Sequence, residues 1–265
     1  MTELDIPALR AAYDSQLRAF DPELPGVTVE FDGPVKRASG MMGGGYIVYQ
    51  DLGGLAGPEL DALIARQRDH FRDRSEQVEW KLHAHDEPAD LAERLTAHGF
   101  EPEELETVVI GPVAPLAAAL PVLPTGVRLR DVTDRTDFDR IVRMEEAVWS
   151  DDRSWIADML HEEITHHPTD LAVTVAEDVE TGEVVSAGWV RFVPGTAFAT
   201  LWGGSTLPAY RRRGIYRALV AHRARLAAAN GYTLLQVDAS ADSRPILERL
   251  GFVAVTTTTP YVYHP

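Results

Sequence analysis

Residues 202–219, WGGSTLPAYRRRGIYRAL, carry side chains whose types and spacing can do chemistry. A strand-like run ends in glycines, Pro208 breaks its ladder, and Arg211 to Tyr216 lead directly into a helix. The first backbone amides of a helix have no partner within it and sit at the positive end of its dipole. Gly214 lets the chain approach an anion closely, and Arg211, Arg212, Arg213 and Arg217 can add charge to its oxygens. The chemistry this permits is the holding of a pyrophosphate. An ordinary arginine-rich helix start after a tight turn is the structural alternative for the same residues.

The surroundings suit an anion. The chain has 265 residues and a formal charge of −16, yet residues 184–237 contain no acid and seven arginines. Residues 1–115 hold 22 acids and 10 bases, and the remainder 19 and 15, so the basic island lies in the less acidic part. Solvated helix arginines would give the same count. Overall acidity disfavours nonspecific binding to nucleic acid or anionic membranes, and no apolar run approaches the roughly 18 residues a membrane span needs. Residues 1–20 form an acidic amphipathic stretch without the features of an export signal. Cysteine is absent, which removes disulfides, thiolate metal sites and a cysteine nucleophile, and a cytoplasmic protein is expected.

The cradle needs elements to position it. Residues 197–202 read as a strand, 213–230 as a helix with Leu219, Val220 and Leu226 at helical spacing and Gly231 at its cap, and 232–237 as the next strand. Upstream, 127–131 alternates as a strand, 136–149 and 155–166 are helices, and 171–177 and 183–193 complete an antiparallel meander. A helix at 243–250 and a closing strand or pair at 252–263 follow. Strands joined through helices late in the chain imply an α/β fold on a mixed sheet. Residues 111–126, rich in proline and alanine and uncharged, read as a linker, dividing 1–115 from 127–265 with 116–126 between. The first part repeats the order: strand 46–50, helix 58–72, strand 78–83, helix 89–98, strand 105–110. DLAERLTAHGF (90–100) echoes RPILERLGF (244–252), so two tandem lobes are expected.

Residues 127–265 resemble the GNAT acetyltransferase superfamily, whose signature R/Q-x-x-G-x-G/A lies between a strand and a helix. Arg211, Gly214 and Tyr216 stand at its positions, Tyr216 replacing the usual Gly or Ala; Thr206, Leu207 and Pro208 correspond to its V-x-P, and Leu250, Gly251 and Phe252 to its later L-G-F. The resemblance implies acetyl-CoA as co-substrate and a sheet splayed beside the strand ending near Trp202. It further implies that backbone at Gly204, Ser205 and Thr206 pairs with the pantetheine amides, one N–H there facing the thioester oxygen. The amides of Arg212, Arg213, Gly214, Ile215, Tyr216 and Arg217 would hold the pyrophosphate.

Two positions depart from the family. A tyrosine that protonates the leaving thiolate in many relatives is Leu247 here, and an asparagine seven residues earlier is Ser240. A thiol with a pKa of about 8.5 can leave without an acid, and Ser240, Ser243 or water can donate. For the base that deprotonates an attacking ammonium, the candidates are Asp238, Glu145 and Glu146. Asp238 equally suits a cap for the following helix. Trp149, Asp151, Asp152 and Trp155 lie where relatives shape the acceptor pocket; they suit a cationic amine, or equally a tryptophan core beside solvated acids.

Other signals are weaker. His83, His85 and Asp86 form one short cluster without a further ligand, and His161, His166 and His167 lack the spacing of H-E-x-x-H, so no metal is expected. GMMGGG at 40–45 precedes a strand instead of joining one to a helix, and reads as a loop. The expectation is therefore two tandem α/β lobes, the first degenerate, the second moving an acetyl group from acetyl-CoA to a small-molecule or peptide amine by direct attack. The alternatives are a catalytically silent acyl-CoA-binding or interaction module and an O-acyltransferase. The acceptor and the oligomeric state are not legible in the sequence.

Overall fold

The computed structural model describes residues 4–18, 27–40 and 44–265. Of the GMMGGG stretch, residues 41–43 lie outside these, as do the ends of the stretch 1–20. Contacts divide the chain into two units: Met1–Val109 with Asp238–Arg244 and Val253–Pro265, and Ile110–Val237 with Pro245–Phe252.

The first unit begins with helix α1 (Ile6–Gln16), opened by Asp5, whose carboxylate accepts the Ala8 amide. A hairpin of β1 (Thr28–Asp32) and β2 (Val35–Ser39) follows, then β3 (Gly45–Val48), α2 (Gly57–Asp73) and β4 (Val78–His83). After these come α3 (Leu91–Ala97), the short β5 (Glu101–Pro102) and β6 (Glu106–Pro112). Strands β3 and β4 are parallel with α2 as the crossover. Helix α2 buries Leu60, Leu63, Ile64, Gln67 and Phe71, a spacing that presents one face to the sheet. The strand that closes this unit is the chain's last, β12 (Val253–Tyr263), antiparallel to β4 with Pro260 opposite Lys81. The sequence reading put that strand in the second lobe; its ladder belongs to the first, and Tyr261 sits in the core with Trp80 and Phe100.

The second unit opens with α4 (Val113–Ala118), inside the stretch read as linker; buried Val113 and Leu116 explain why it folds. Strands β7 (Val127–Val132), β8 (Leu171–Asp178), β9 (Val184–Phe192) and β10 (Phe198–Thr206) form the antiparallel run, and β11 (Leu234–Ala239) pairs parallel to β10. Helices α5 (Arg135–Trp149) and α6 (Trp155–His166) join β7 to β8, and α7 (Ile215–Ala229) joins β10 to β11. Val173 and Val175 pack with α5 and α6, while Ala176 packs with Ile215 and Leu219 of α7. Alternation along a strand thus puts α7 on the opposite face from α5 and α6.

The helix–Gly–Phe echo has the same local geometry in both places. After α3, Gly99 takes φ 88° and the Phe100 amide donates back to the Leu95 carbonyl. After α8 (Arg244–Arg249), Gly251 takes φ 101° and the Phe252 amide donates to the Leu247 carbonyl. Both are left-handed glycine stops followed by a buried phenylalanine. Among the described residues no helix is long and apolar enough to cross a membrane.

Candidate acyl-transfer site

The second unit gathers the cradle residues. Strand β10 follows β9 in register to the Gly203–Gly188 pair, then resumes at Thr206–Ser186, so it carries an extra residue. Its parallel pairing with β11 covers Phe198 to Thr200, and Leu201 to Thr206 run on beyond it. The bulge is pinned from below: the Ser186 hydroxyl donates to the Ser205 carbonyl at 2.6 Å and lies 2.8 Å from the Thr206 hydroxyl. Gly204 has φ 96°, and a Cβ there would stand 2.7 Å from Cε2 of Tyr216. The Tyr216 ring therefore occupies the space that a side chain at Gly204 would need.

Beyond the bulge, Pro208–Tyr210 form a single 3-10 turn, and the Tyr210 hydroxyl donates to Asp178 at 2.7 Å. Arg213 lies over the Tyr210 ring, and Arg211 Nε donates to the Thr206 carbonyl at 3.0 Å. Arg212 takes φ 60° and Gly214 φ 86°, turning the chain into α7, whose amino terminus has no side-chain cap and no acid in its first turn. Arg211, Arg212, Arg213 and Arg217 are exposed. Ile215 is different: its side chain is buried with Leu219, so only its amide is free to serve a ligand. Uncapped amides, flanking guanidinium groups and a left-handed glycine fit the diphosphate of a coenzyme-A thioester.

Glu145 lies on the α5 face turned to the sheet and is 3% exposed. Its Oε2 accepts from the Ser205 hydroxyl at 2.8 Å and from Trp149 Nε1 at 2.9 Å, and that indole N–H is also 3.0 Å from Ser205 Oγ. Oε1 has no hydrogen-bond partner among the described residues. Burial pushes this carboxyl above the usual range, against the pull of the Ser205 and Trp149 hydrogen bonds. A buried carboxylate of raised pKa, tied to the strand bulge and with one oxygen unengaged, is suited to accept a proton.

Asp238 is placed otherwise. It belongs to the first unit, where its Oδ2 accepts from Lys81 Nζ at 2.7 Å, with Glu106 at 3.1 Å and Glu79 at 3.9 Å from the same ammonium. Burial raises Glu79 to about 7, with Lys81 opposing and the neighbouring acids adding to the rise. The carboxylate expected as a base thus already holds a cation. Leu247, at the family's tyrosine position, is fully buried. His83, His85 and Asp86 take part in a polar network of the first unit: Asp86 accepts from Arg18 at 2.7 Å and from Tyr49 at 2.6 Å, and His85 bridges Asp14 and Thr256. A cavity of about 420 Å³ lined by Arg18, Tyr49, Asp51 and His85 lies in this unit and holds none of the cradle residues.

One residue was overlooked. Arg223, counted in the basic island, is 1% exposed and donates to the carbonyls of Trp202 at 2.9 Å and Trp189 at 3.2 Å. It joins β9 and β10 directly before the bulge, and burial lowers its pKa to about 10. The signal was present: Ile215, Leu219 and Arg223 recur every four residues, so this arginine falls on the buried stripe of α7.

The second unit is thus a mixed sheet whose bulged strand feeds an uncapped, arginine-flanked helix. The sequence model of the Acetyltransferase (GNAT) family matches residues 136–252, and the chain carries a domain of that family. A GCN5-related N-acetyltransferase from Kribbella flavida is similar over 100% of this chain and 97% of its own, at 16% identity and a TM-score of 0.65. A tandem GNAT protein from the clavulanic acid biosynthesis pathway is similar over 92% and 84%, at 15% identity and a TM-score of 0.63. A GCN5-related N-acetyltransferase from Sphaerobacter thermophilus aligns over 98% and 92%, at 13% identity and a TM-score of 0.63. At these identities the likeness is one of fold, and it covers both lobes. No curated protein sequence matches.

Proposed function

We propose that the second unit transfers an acetyl group from acetyl-CoA to an amine by direct attack, with Glu145 as the base. The observation that carries this reading is Glu145 hydrogen-bonded to Ser205 on the bulge of the strand that leads into the cradle. Bound acetyl-CoA supplies the acyl group as an activated thioester. The amides of residues 212–217 and the guanidinium groups of Arg211 to Arg213 hold its phosphates, and backbone at Gly204 to Thr206 lies along its pantetheine arm. Glu145 takes the proton of the incoming ammonium, while Ser205 and Trp149 keep its carboxylate fixed. Asp238, held by Lys81, is assigned a structural part instead.

The first lobe is read as degenerate, so one acyl-CoA binds per chain. At its β3–α2 junction the carboxylate of Asp51 accepts the Gly53 amide at 2.8 Å, and Glu59 stands in the first turn of α2. Both place negative charge where the second lobe has arginine. A silent acyl-CoA-binding module remains the second reading, favoured by the buried Leu247. Release of free thiol from acetyl-CoA across small amines, aminoglycosides, amino acids and peptides separates the two. Turnover abolished by Glu145→Gln supports transfer; tight acetyl-CoA binding with no turnover supports the silent module.

A further inference from the structure

The acids and aromatics beside Glu145 do not play the parts that their residue types suggest. Asp151 is engaged by Arg153 through two contacts of 2.7 and 2.8 Å, and Asp152 accepts the Ser154 amide at 2.9 Å. Glu163 of α6 is engaged by Arg191 at 2.6 and 2.8 Å. Glu146 follows Glu145 on α5 and is turned about 100° around the helix from it. Among the described residues Glu145 is thus the buried carboxylate that faces the bulge without an ion pair.

The aromatic surface is left open. Trp149 is 55% exposed and Trp202 45% exposed, a high value for side chains that usually lie mostly inside. Trp202 projects from β10 to the α5–α6 face, because Arg191, whose guanidinium covers its ring at 4.7 Å, is held by Glu163 of α6. Arg153 lies over Trp149 in the same way at 5.4 Å. The cation demand of these rings is met by arginines that are themselves neutralised. What the site still offers is one buried carboxylate and exposed indole surface.

From this we infer that the acceptor is a monocationic amine with an apolar or aromatic body, not a polyamine or an amino sugar; the inference rests on the transfer reading above. Among the described residues a second ammonium would find no second buried, unpaired carboxylate at the bulge, Asp152 being exposed to water, and a polyhydroxylated ring would leave its hydroxyls against indole. An aromatic body would be desolvated against Trp149 and Trp202 while its ammonium meets Glu145.

The test is thiol release from acetyl-CoA by the full chain with phenethylamine, ethylamine, spermidine and glucosamine. The expected result is a kcat/KM for phenethylamine at least tenfold above that for spermidine or glucosamine. Trp202→Ala should lower the phenethylamine-to-ethylamine ratio of kcat/KM at least fivefold. A higher kcat/KM for spermidine or glucosamine than for phenethylamine overturns the inference and leaves the transfer reading intact, as does a ratio unmoved by Trp202→Ala. Absence of turnover with every amine defeats the transfer reading, and this inference with it.

Discussion

The contact between Gly204 and Tyr216 can be tested by a double-mutant cycle. Gly204→Ala places a methyl at φ 96°, in a region that costs an L-residue about 1–2 kcal/mol. It also places that methyl 2.7 Å from Tyr216 Cε2, well inside carbon–carbon contact, and overpacking of this kind costs a further ~1–3 kcal/mol. The single variant should therefore lose about 2–5 kcal/mol. In a Tyr216→Ala background the clash is gone and the backbone cost remains, so the same substitution should lose only about 1–2 kcal/mol. The coupling energy is then on the order of 1–3 kcal/mol, with the double variant more stable than the sum of the singles predicts. Urea unfolding followed by tryptophan fluorescence measures it, since four of the five tryptophans lie in the second unit. Additivity within about 0.5 kcal/mol would show that the ring does not occupy the space denied to Gly204, and would refute the steric reading of this contact.

Further outcomes follow from the charges. Because burial holds Glu145 above the ordinary carboxylate range, kcat/KM should rise with pH through that raised value and then level; Glu145→Gln should cost roughly 10²–10⁴-fold and abolish the rise, as steady-state pH profiles would show. Glu79 has a folded pKa of about 7, above its unfolded value of about 4.3, so the folded state binds the proton more tightly. Its contribution to stability is present at low pH and is lost as pH rises from about 4.3 to about 7. Glu79→Gln should raise the melting temperature at pH 8 and leave it little changed at pH 4, and calorimetry at the two pH values checks this. Gly214→Glu puts a carboxylate in the cradle and should weaken acetyl-CoA binding at least tenfold by titration calorimetry, with the fold retained by circular dichroism. Native mass spectrometry with a nonhydrolysable acyl-CoA should give one ligand per chain.

Where periodicity is strong the chain announces its elements: α6 begins at Trp155 and ends at His166, and β4 runs from Val78 to His83, as their patterns predict. The β1–β2 hairpin was not read because β1 lies mostly exposed, without the alternation that marks a half-buried strand. Helix α4 was hidden in a proline-rich stretch and depends on packing against α7. At the site, the cradle was legible because its glycine, arginines and helix start are contiguous. The burial of Glu145 was also legible, since it continues the stripe of Phe138, Ile141 and Val142 on α5. The partner of Asp238 was not: Lys81 is 157 positions away, and nothing local to residue 238 records an ammonium supplied by another strand.

Because the first unit takes its closing strand from Val253–Tyr263, neither unit is a single continuous stretch of chain. During synthesis β4 emerges long before its partner. At ~5–20 residues per second the interval between the two strands lasts on the order of ten seconds. The second unit has almost all of its sequence in hand during that wait, so it should be the first to fold, reversing the usual order from the amino end. The edge of β4 meanwhile stands unpaired, and Lys81 lies midway along it, opposite the position that Pro260 will take. A charge on a waiting edge discourages the wrong strand from docking.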